Sequence, residues 1–165
     1  MRQPGRPPER IGRYELVREL SRGGMGVVYV ATDPLMGRQL ALKVLLDPGA
    51  DAEHTARFGR EARALAAAQH PGIVAVHDVG THEGQPFVAM ELVDGESLES
   101  RLRRQGPIPQ EEAARLVEQA ARAIEHAHRV GVLHRDLKPA NVLVDAEGRP
   151  RIVDFVLART SADGA

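Results

Sequence analysis

Cysteine and tryptophan are absent from the 165 residues, and aromatic side chains make up only 3% of them. Without cysteine there is no disulfide framework and no thiolate zinc or iron–sulfur centre, and the composition suits a reducing cytoplasm. An excess of one charge is also lacking. Lys and Arg number 22 against 23 Asp and Glu, a formal net charge of -1, so no overall field draws the chain to nucleic acid or an anionic membrane. Apolar runs such as Ile73-Val74-Ala75-Val76 fall far short of the roughly 20 residues that span a bilayer. The first residues likewise lack the apolar core of a secretory signal. What is present, 42% hydrophobic and 27% charged residues, is the composition of a globular domain with length enough to bury a core. These features together imply a soluble intracellular domain.

Residues 1–10 are rich in Pro and Arg without apolar periodicity, which predicts a disordered arm. Strand signals follow over 14–20 and 27–31, joined by the glycine-rich Ser21-Arg22-Gly23-Gly24-Met25-Gly26, and again over 39–46. A helix is expected over 52–69, stopped before Pro71. Strands are expected over 73–79 and 86–92, split by a turn at Gly84. After a polar break at 93–97 the period changes. Ala113, Leu116, Val117, Ala120, Ile124 and Ala127 recur on one helical face over 110–128. Glu111 and Glu112 suit the positive end of that helix, and His126, His128 and Arg129 its negative end. A last hairpin is expected over 142–155.

Some residues resist a purely structural explanation. Lys43 interrupts the apolar strand Ala41-Leu42-Lys43-Val44-Leu45, and Glu61 lies within the inward stripe of Phe58, Ala62 and Leu65. A lone buried charge costs several kcal/mol, so pairing of the two is the economical solution. The glycine-rich hairpin can bring backbone N–H groups close to phosphate oxygens. It is not a Walker-type loop, because no Lys-Ser/Thr follows its last glycine. His134, Arg135, Asp136, Lys138 and Asn141 crowd one short loop. If Asp145 faces Pro150 in the last hairpin, Asn141 falls opposite Asp154. An amide oxygen beside a carboxylate can hold a hard cation such as magnesium. Asp136 is then placed to accept a proton from a nucleophile. The seven histidines show no ligand spacing, and surface or capping roles are expected for His54, His70, His77, His82, His126 and His128.

From about Ile11 onward the chain resembles a bacterial eukaryotic-like protein serine/threonine kinase. The resemblance rests on Arg22-Gly23-Gly24-Met25-Gly26-Val27-Val28-Tyr29, Ala41-Leu42-Lys43, Arg60-Glu61-Ala62-Arg63, Val88-Ala89-Met90-Glu91-Leu92-Val93-Asp94-Gly95, His134-Arg135-Asp136-Leu137-Lys138-Pro139-Ala140-Asn141 and Asp154-Phe155. Their order and spacing are more specific than any one of them. The resemblance implies an α+β, two-lobe fold. Residues 11–92 would form a complete N-lobe (antiparallel sheet plus one helix), 93–97 the hinge region, and 98–165 an incomplete helical C-lobe. It implies ATP and magnesium as cofactors and a protein serine or threonine hydroxyl as acceptor. Lys43, held by Glu61, would contact the α- and β-phosphates, with Asp136 as catalytic base and Lys138 steadying the transferred group. Asn141 and Asp154 would bind magnesium. The implied nucleotide contacts are Leu20, Ser21, Gly23, Gly24, Met25, Gly26, Val28, Ala41, Met90, Glu91, Val93 and Leu143. His134, Phe155, Leu65 and Val76 would form the apolar column between the lobes.

Three departures from the family pattern carry expectations. Ser21 stands where the family has its first glycine; a left-handed backbone there would cost Ser roughly 1–2 kcal/mol, about an order of magnitude in nucleotide handling. Val156 stands where glycine follows Asp-Phe, which would misaim Asp154. The chain also ends shortly after this motif, so the implied activation segment and later helices are missing, and the apolar face of the 110–128 helix is expected to be exposed. The alternative to a kinase impaired by truncation is a regulatory, pseudokinase-like remnant that binds nucleotide or another kinase domain. A small-molecule phosphotransferase of similar fold is disfavoured by Leu137-Lys138-Pro139. Little or no phosphoryl transfer is expected from the chain as it stands. Val156→Gly alone should not restore transfer in an assay with Mg-ATP, and recovery would place the main defect at Val156.

Overall fold

Alternation of apolar side chains over 27–45 has the period of a pleated strand. A computed structural model, which describes residues 9–24, 26–46 and 52–155, places this stretch at the centre of a six-stranded sheet. Its strands are β1 (Arg10–Ile11), β2 (Tyr14–Gly23), β3 (Gly26–Asp33), β4 (Arg38–Leu45), β5 (Val76–His82) and β6 (Gln85–Met90), in the order β1-β2-β3-β4-β6-β5. Arg10, assigned to the terminal arm from sequence, pairs with Glu15. Successive side chains alternate between faces, so Val27, Tyr29, Ala31, Leu40, Leu42, Val44, Phe87 and Ala89 gather on one side around Ile11 and Tyr14. This sheet belongs to a unit formed by Met1–Thr55 and His77–Leu92.

The sheet is curled rather than flat. From β2 to β5 there are four strand spacings, about 19 Å in a flat sheet. Yet the Tyr14 hydroxyl donates to Asp78 Oδ2 at 2.6 Å. The Tyr14 ring also meets Phe87 edge-on, with centroids 5.9 Å apart. Register shifts in β2 between Leu16 and Arg18 and between Glu19 and Ser21 supply the local bend that such closure needs. Burial, then the bond to Asp78, pushes the Tyr14 hydroxyl well above its ordinary range. Arg13 lies over the same ring, 4.9 Å from its centroid, and reaches Asp33 Oδ2 at 3.4 Å.

The second unit comprises Ala56–Val76 and Val93–Ala165. It contains most of α1 (Ala52–Ala67), then β7 (Gly95–Ser97), α2 (Leu98–Gln105), α3 (Gln110–Arg129), a 3-10 turn (Pro139–Asn141), β8 (Val142–Asp145) and β9 (Pro150–Ile152). Phe58, Ala62 and Leu65 form the buried stripe of α1, continued by buried Ala68 just beyond it, the face expected from the spacing of the first three. The strand expected over 73–79 begins only at Val76. Around Ile73 the backbone is bonded to β9 instead: Val74 N–H donates to the Ile152 carbonyl at 3.0 Å, and Ile152 N–H to that of Gly72 at 2.8 Å. Residues 95–97, within the expected hinge, form β7 and pair with β8.

Nothing in the apolar pattern announced α2, because it buries no residue. Polar signals make it instead: Ser97 Oγ accepts the Ser100 N–H at 3.0 Å, and Glu99 and Arg103–Arg104 suit the two ends. Helix α3 ends on Gly131 (φ 81). There Gly131 N–H donates to the His128 carbonyl and Val132 N–H to that of Ala127, a Schellman closure. Leu116, Ala123 and Ala127 are buried, whereas Val117 is 69% exposed, so the expected exposure holds for part of the apolar face. No helix among the described residues is long and apolar enough to cross a membrane.

Tyr14→Phe keeps the ring and removes the hydroxyl that closes the sheet. It should cost about 1–2 kcal/mol in urea unfolding, and a cost within error of zero would show that ring packing alone closes it.

Candidate active site

In the first unit, β4 is paired on both sides. Lys43 lies opposite Val28 of β3 and Val88 of β6, and Ala41 opposite Val30 and Met90. Directly opposed residues share a face. Val28, Ala41, Lys43 and Met90, four residues expected to contact nucleotide, therefore stand on one face of the sheet, opposite the Tyr14–Phe87 cluster. Lys43 is 8% exposed, a cation set in an otherwise apolar surface. Val30 and Val88 belong to this face too and were missed from sequence; the two-residue alternation from Val28 and Met90 could have found them.

The glycines of the β2–β3 hairpin differ in what requires them. A Cβ on Gly26 would lie 2.4 Å from the Val44 carbonyl oxygen, so the close approach of β4 demands glycine there. Gly23 and Gly24 are open: among the described residues no atom lies within 4 Å of where a Cβ would stand, and neither has a positive φ. The fold gives no reason for glycine at these two positions. Ser21 lies in β2, paired with Val28, and does not have a positive φ. The strain expected of serine there does not arise.

The second unit holds the loop chemistry. Lys138 Nζ lies 3.1 Å from Asp136 Oδ2, and both side chains are about half exposed, 53% and 49%. Asn141 Nδ2 donates to the Asp136 carbonyl at 2.9 Å and approaches its Oδ2 at 3.4 Å. His134 is buried beneath. Its Nε2–H donates to the Val153 carbonyl at 2.7 Å, and its Nδ1 accepts the Asp136 N–H at 3.2 Å. Both bonds are met by a single neutral tautomer, assigned here from the partners. The His134 ring meets Phe155 edge-on at 4.7 Å. Leu65 is buried and Val76 half-buried in the same unit. Leu143, half-buried on β8, pairs with Ser97 and Arg151.

The hairpin that carries Asp154 is shifted by one residue from the expected register. Val142 pairs with Ile152 and Val144 with Pro150, so Asn141 faces Val153, whose N–H donates to the Asn141 carbonyl at 3.0 Å. The cause is the turn. Asp145 N–H donates to the Arg149 carbonyl, and Gly148 takes φ 79, the left-handed bulge that follows a type I turn. Asp145 Oδ1 accepts the N–H groups of Glu147 and Arg149. Burial would raise this carboxyl, but those bonds and the Arg149 guanidinium hold it below the usual range. Asp154 follows Val153 with φ 65, so its direction is set by a left-handed residue and not by the ladder. Arg135, with φ 63, is a second such residue that sequence reasoning passed over.

These residues can be tested against a hard cation. Asn141, whose Nδ2 is committed to Asp136, and Asp154 each carry a side-chain oxygen of the kind a hard cation takes. Among the described residues no group of three or more His, Asp or Glu could hold a metal. Oxygen donors of this kind suit magnesium, an ion that takes one or two protein oxygens and completes its shell with phosphate and water. Met25, Val156 and the Glu61 side chain lie outside the described residues, and with them the expected Lys43–Glu61 pairing; the Glu61 backbone is part of α1.

Comparison with known proteins agrees with this fold. Residues 14–165 match the model of the protein kinase domain. The chain is 41% identical over 162 residues to serine/threonine-protein kinase PknB of Mycobacterium leprae, covering 95% of this chain and 26% of that protein. It is 44% identical over 154 residues to PknA of Mycobacterium tuberculosis, covering 90% and 36%. Against PrkC of Bacillus subtilis it is 38% identical over 148 residues, covering 89% and 23%. Among solved structures, the Mycobacterium tuberculosis PknI kinase domain superposes with a TM-score of 0.81 at 38% identity, covering 90% of this chain and 60% of that one. The chain thus spans about a quarter to a third of the length of these curated relatives.

The division among the glycines is open to test. Gly26→Ala should destabilise the fold by about 1–3 kcal/mol, because the backbone of β4 has to move. Gly24→Ala should leave the urea midpoint nearly unchanged, and equal losses from the two substitutions would contradict the distinction.

Proposed function

The chain belongs to the protein kinase domain family, and on that premise we propose that it serves ATP- and magnesium-dependent phosphoryl transfer to a serine or threonine hydroxyl of a protein. One observation carries the reading: Asp136, half exposed, is held between Lys138 Nζ and Asn141 Nδ2. When bound, the nucleotide supplies the phosphoryl group, and magnesium supplies charge that offsets its oxygens. Everything else is done by side chains and backbone. Asp136 accepts the proton of the acceptor hydroxyl on its carboxylate, which its two neighbours orient and solvent leaves accessible. Lys138 neutralises charge on the transferred group. Asn141 Oδ1 and the Asp154 carboxylate hold the cation.

In the first unit, Lys43 binds phosphate oxygens, and the unencumbered Gly23 and Gly24 let backbone N–H groups approach them. Val28, Ala41 and Met90 on the Lys43 face, together with Leu20, Ser21, Met25, Gly26, Glu91, Val93 and Leu143, are assigned to the rest of the nucleotide. Choice of serine or threonine rests on Lys138, two positions after Asp136, and on the names of the relatives. A cytoplasmic location goes with this reading, since the chain lacks cysteine and its nucleotide is intracellular.

Transfer from radiolabelled Mg-ATP to a generic acceptor protein, however slow in the 165-residue chain, should fall at least about a hundredfold in Asp136→Asn. Stabilisation of the chain by Mg-ATP in thermal melts should survive that substitution and be lost in Lys43→Met. Transfer unaffected by Asp136→Asn, or wild-type protein showing neither transfer nor stabilisation, would overturn the proposal.

A further inference from the structure

The second unit also holds two imidazoles that the chemistry above does not use. His70 lies just beyond α1, and His126 near the end of α3. Their ring centroids are 5.1 Å apart with planes inclined at 38°. Gly72 N–H donates to His70 Nδ1 at 2.9 Å. An N–H group can only donate, so Nδ1 carries a lone pair and the proton of neutral His70 sits on Nε2. The Ile73 N–H closes the same turn on the His70 carbonyl at 3.0 Å.

This turn is pinned on two sides. Gly72 lies so close to α3 that an added Cβ would stand 2.8 Å from that of Ala123. Its carbonyl accepts the Ile152 N–H at 2.8 Å, and Val74 N–H donates to the Ile152 carbonyl at 3.0 Å. Ile152 immediately precedes Val153, whose carbonyl His134 holds, and Asp154 comes next.

We propose that His70 is a proton-sensitive latch: as a neutral ring it holds the 70–74 turn against α3 and β9, and protonation releases that turn. A proton added to Nδ1 would point at the Gly72 N–H, so the bond cannot survive it. The same proton places a positive charge beside His126, whose own charge opposes it. Among the described residues, the charge that acts on His70 is that of His126. The last turn of α1 carries no basic group, and its residues 64–67 are all apolar. Strand β9 meets the turn through Ile152, with cationic Arg151 beside it. On α3, Arg122 and Arg129 flank His126 one turn away and are engaged with Glu118 and Glu125.

Burial first, and the charge of His126 second, move His70 below the usual imidazole range. The folded state therefore favours the neutral ring. Its contribution is complete above the unfolded value of about 6.5 and is lost as pH falls through the lower folded value. The latch does not depend on the kinase reading. It stands on the turn alone, and its reach toward Asp154 runs through Ile152.

Amide hydrogen exchange by NMR on the 165-residue chain, corrected for intrinsic pH dependence, tests the latch directly. Below the titration of His70, protection at Gly72, Val74 and Ile152 should fall by up to about tenfold per pH unit. His70 itself should titrate below the ordinary imidazole value of about 6.5. In His70→Asn the amide oxygen can accept the N–H two residues on at any pH, so protection should become independent of pH. His126→Phe keeps a ring and removes the charge, and should raise the titration of His70. An ordinary His70 titration with constant protection, or the same acid loss in His70→Asn, would overturn the proposal. Should a variant fold poorly, the wild-type ring nitrogen shifts decide: Nδ1 unprotonated at neutral pH is expected, and a protonated Nδ1 contradicts it.

Discussion

Both backbone groups of Val153 are held by the loop that carries Asp136. Its N–H donates to the Asn141 carbonyl, and its carbonyl accepts the proton of His134 Nε2. From these two bonds the rest of the second unit's chemistry follows. His134, fixed at one nitrogen, presents the other to the Asp136 N–H. Asn141, fixed through its backbone, turns its side-chain amide to Asp136. The bonds also explain how two side-chain-bearing residues, Arg135 and Asp154, keep left-handed backbones that each cost about 1–2 kcal/mol. Each adjoins a residue locked by this network, so the strain is retained where orientation matters.

A different constraint organises the first unit. The pleat divides β3, β4 and β6 into two faces. One packs around Tyr14 and Phe87, and the closure from Tyr14 to Asp78 curls the sheet about that core. The other is left to Val28, Ala41, Lys43, Val88 and Met90. Lys43 is buried on this non-core face, the one to which the proposed nucleotide contacts are assigned. The glycines repeat the distinction at the hairpin. Gly26 answers to the β4 backbone, whereas Gly23 and Gly24 answer to nothing among the described residues.

Period and composition made much of this readable in advance. The strands around Lys43, the stripe of α1 and the amphipathic α3 all follow from regular spacing of apolar side chains, and the loop of His134 to Asn141 was evident from its density of polar groups. What escaped depended on geometry that spacing does not encode. The pairing of Asn141 with Asp154 failed by one residue, because a left-handed Gly148 absorbs a residue in the turn. Helix α2 went unseen because caps and charges make it, without a buried face. The strain assigned to Ser21 assumed a left-handed residue where the chain continues as strand. His70 and His126 looked like unrelated surface residues, since 55 positions of sequence separate two rings that the packing of Gly72 on Ala123 brings together.

The central claim is that Asn141 and Asp154, oriented through Val153, hold a nucleotide-bound cation. Substituting manganese for magnesium and following paramagnetic broadening by NMR tests it most directly. With ATP present, broadening should centre on the Asn141 side-chain amide and the backbone of Asp154, and should vanish when excess magnesium is added. Broadening centred elsewhere, or none at these two residues under saturating manganese and nucleotide, would contradict the account.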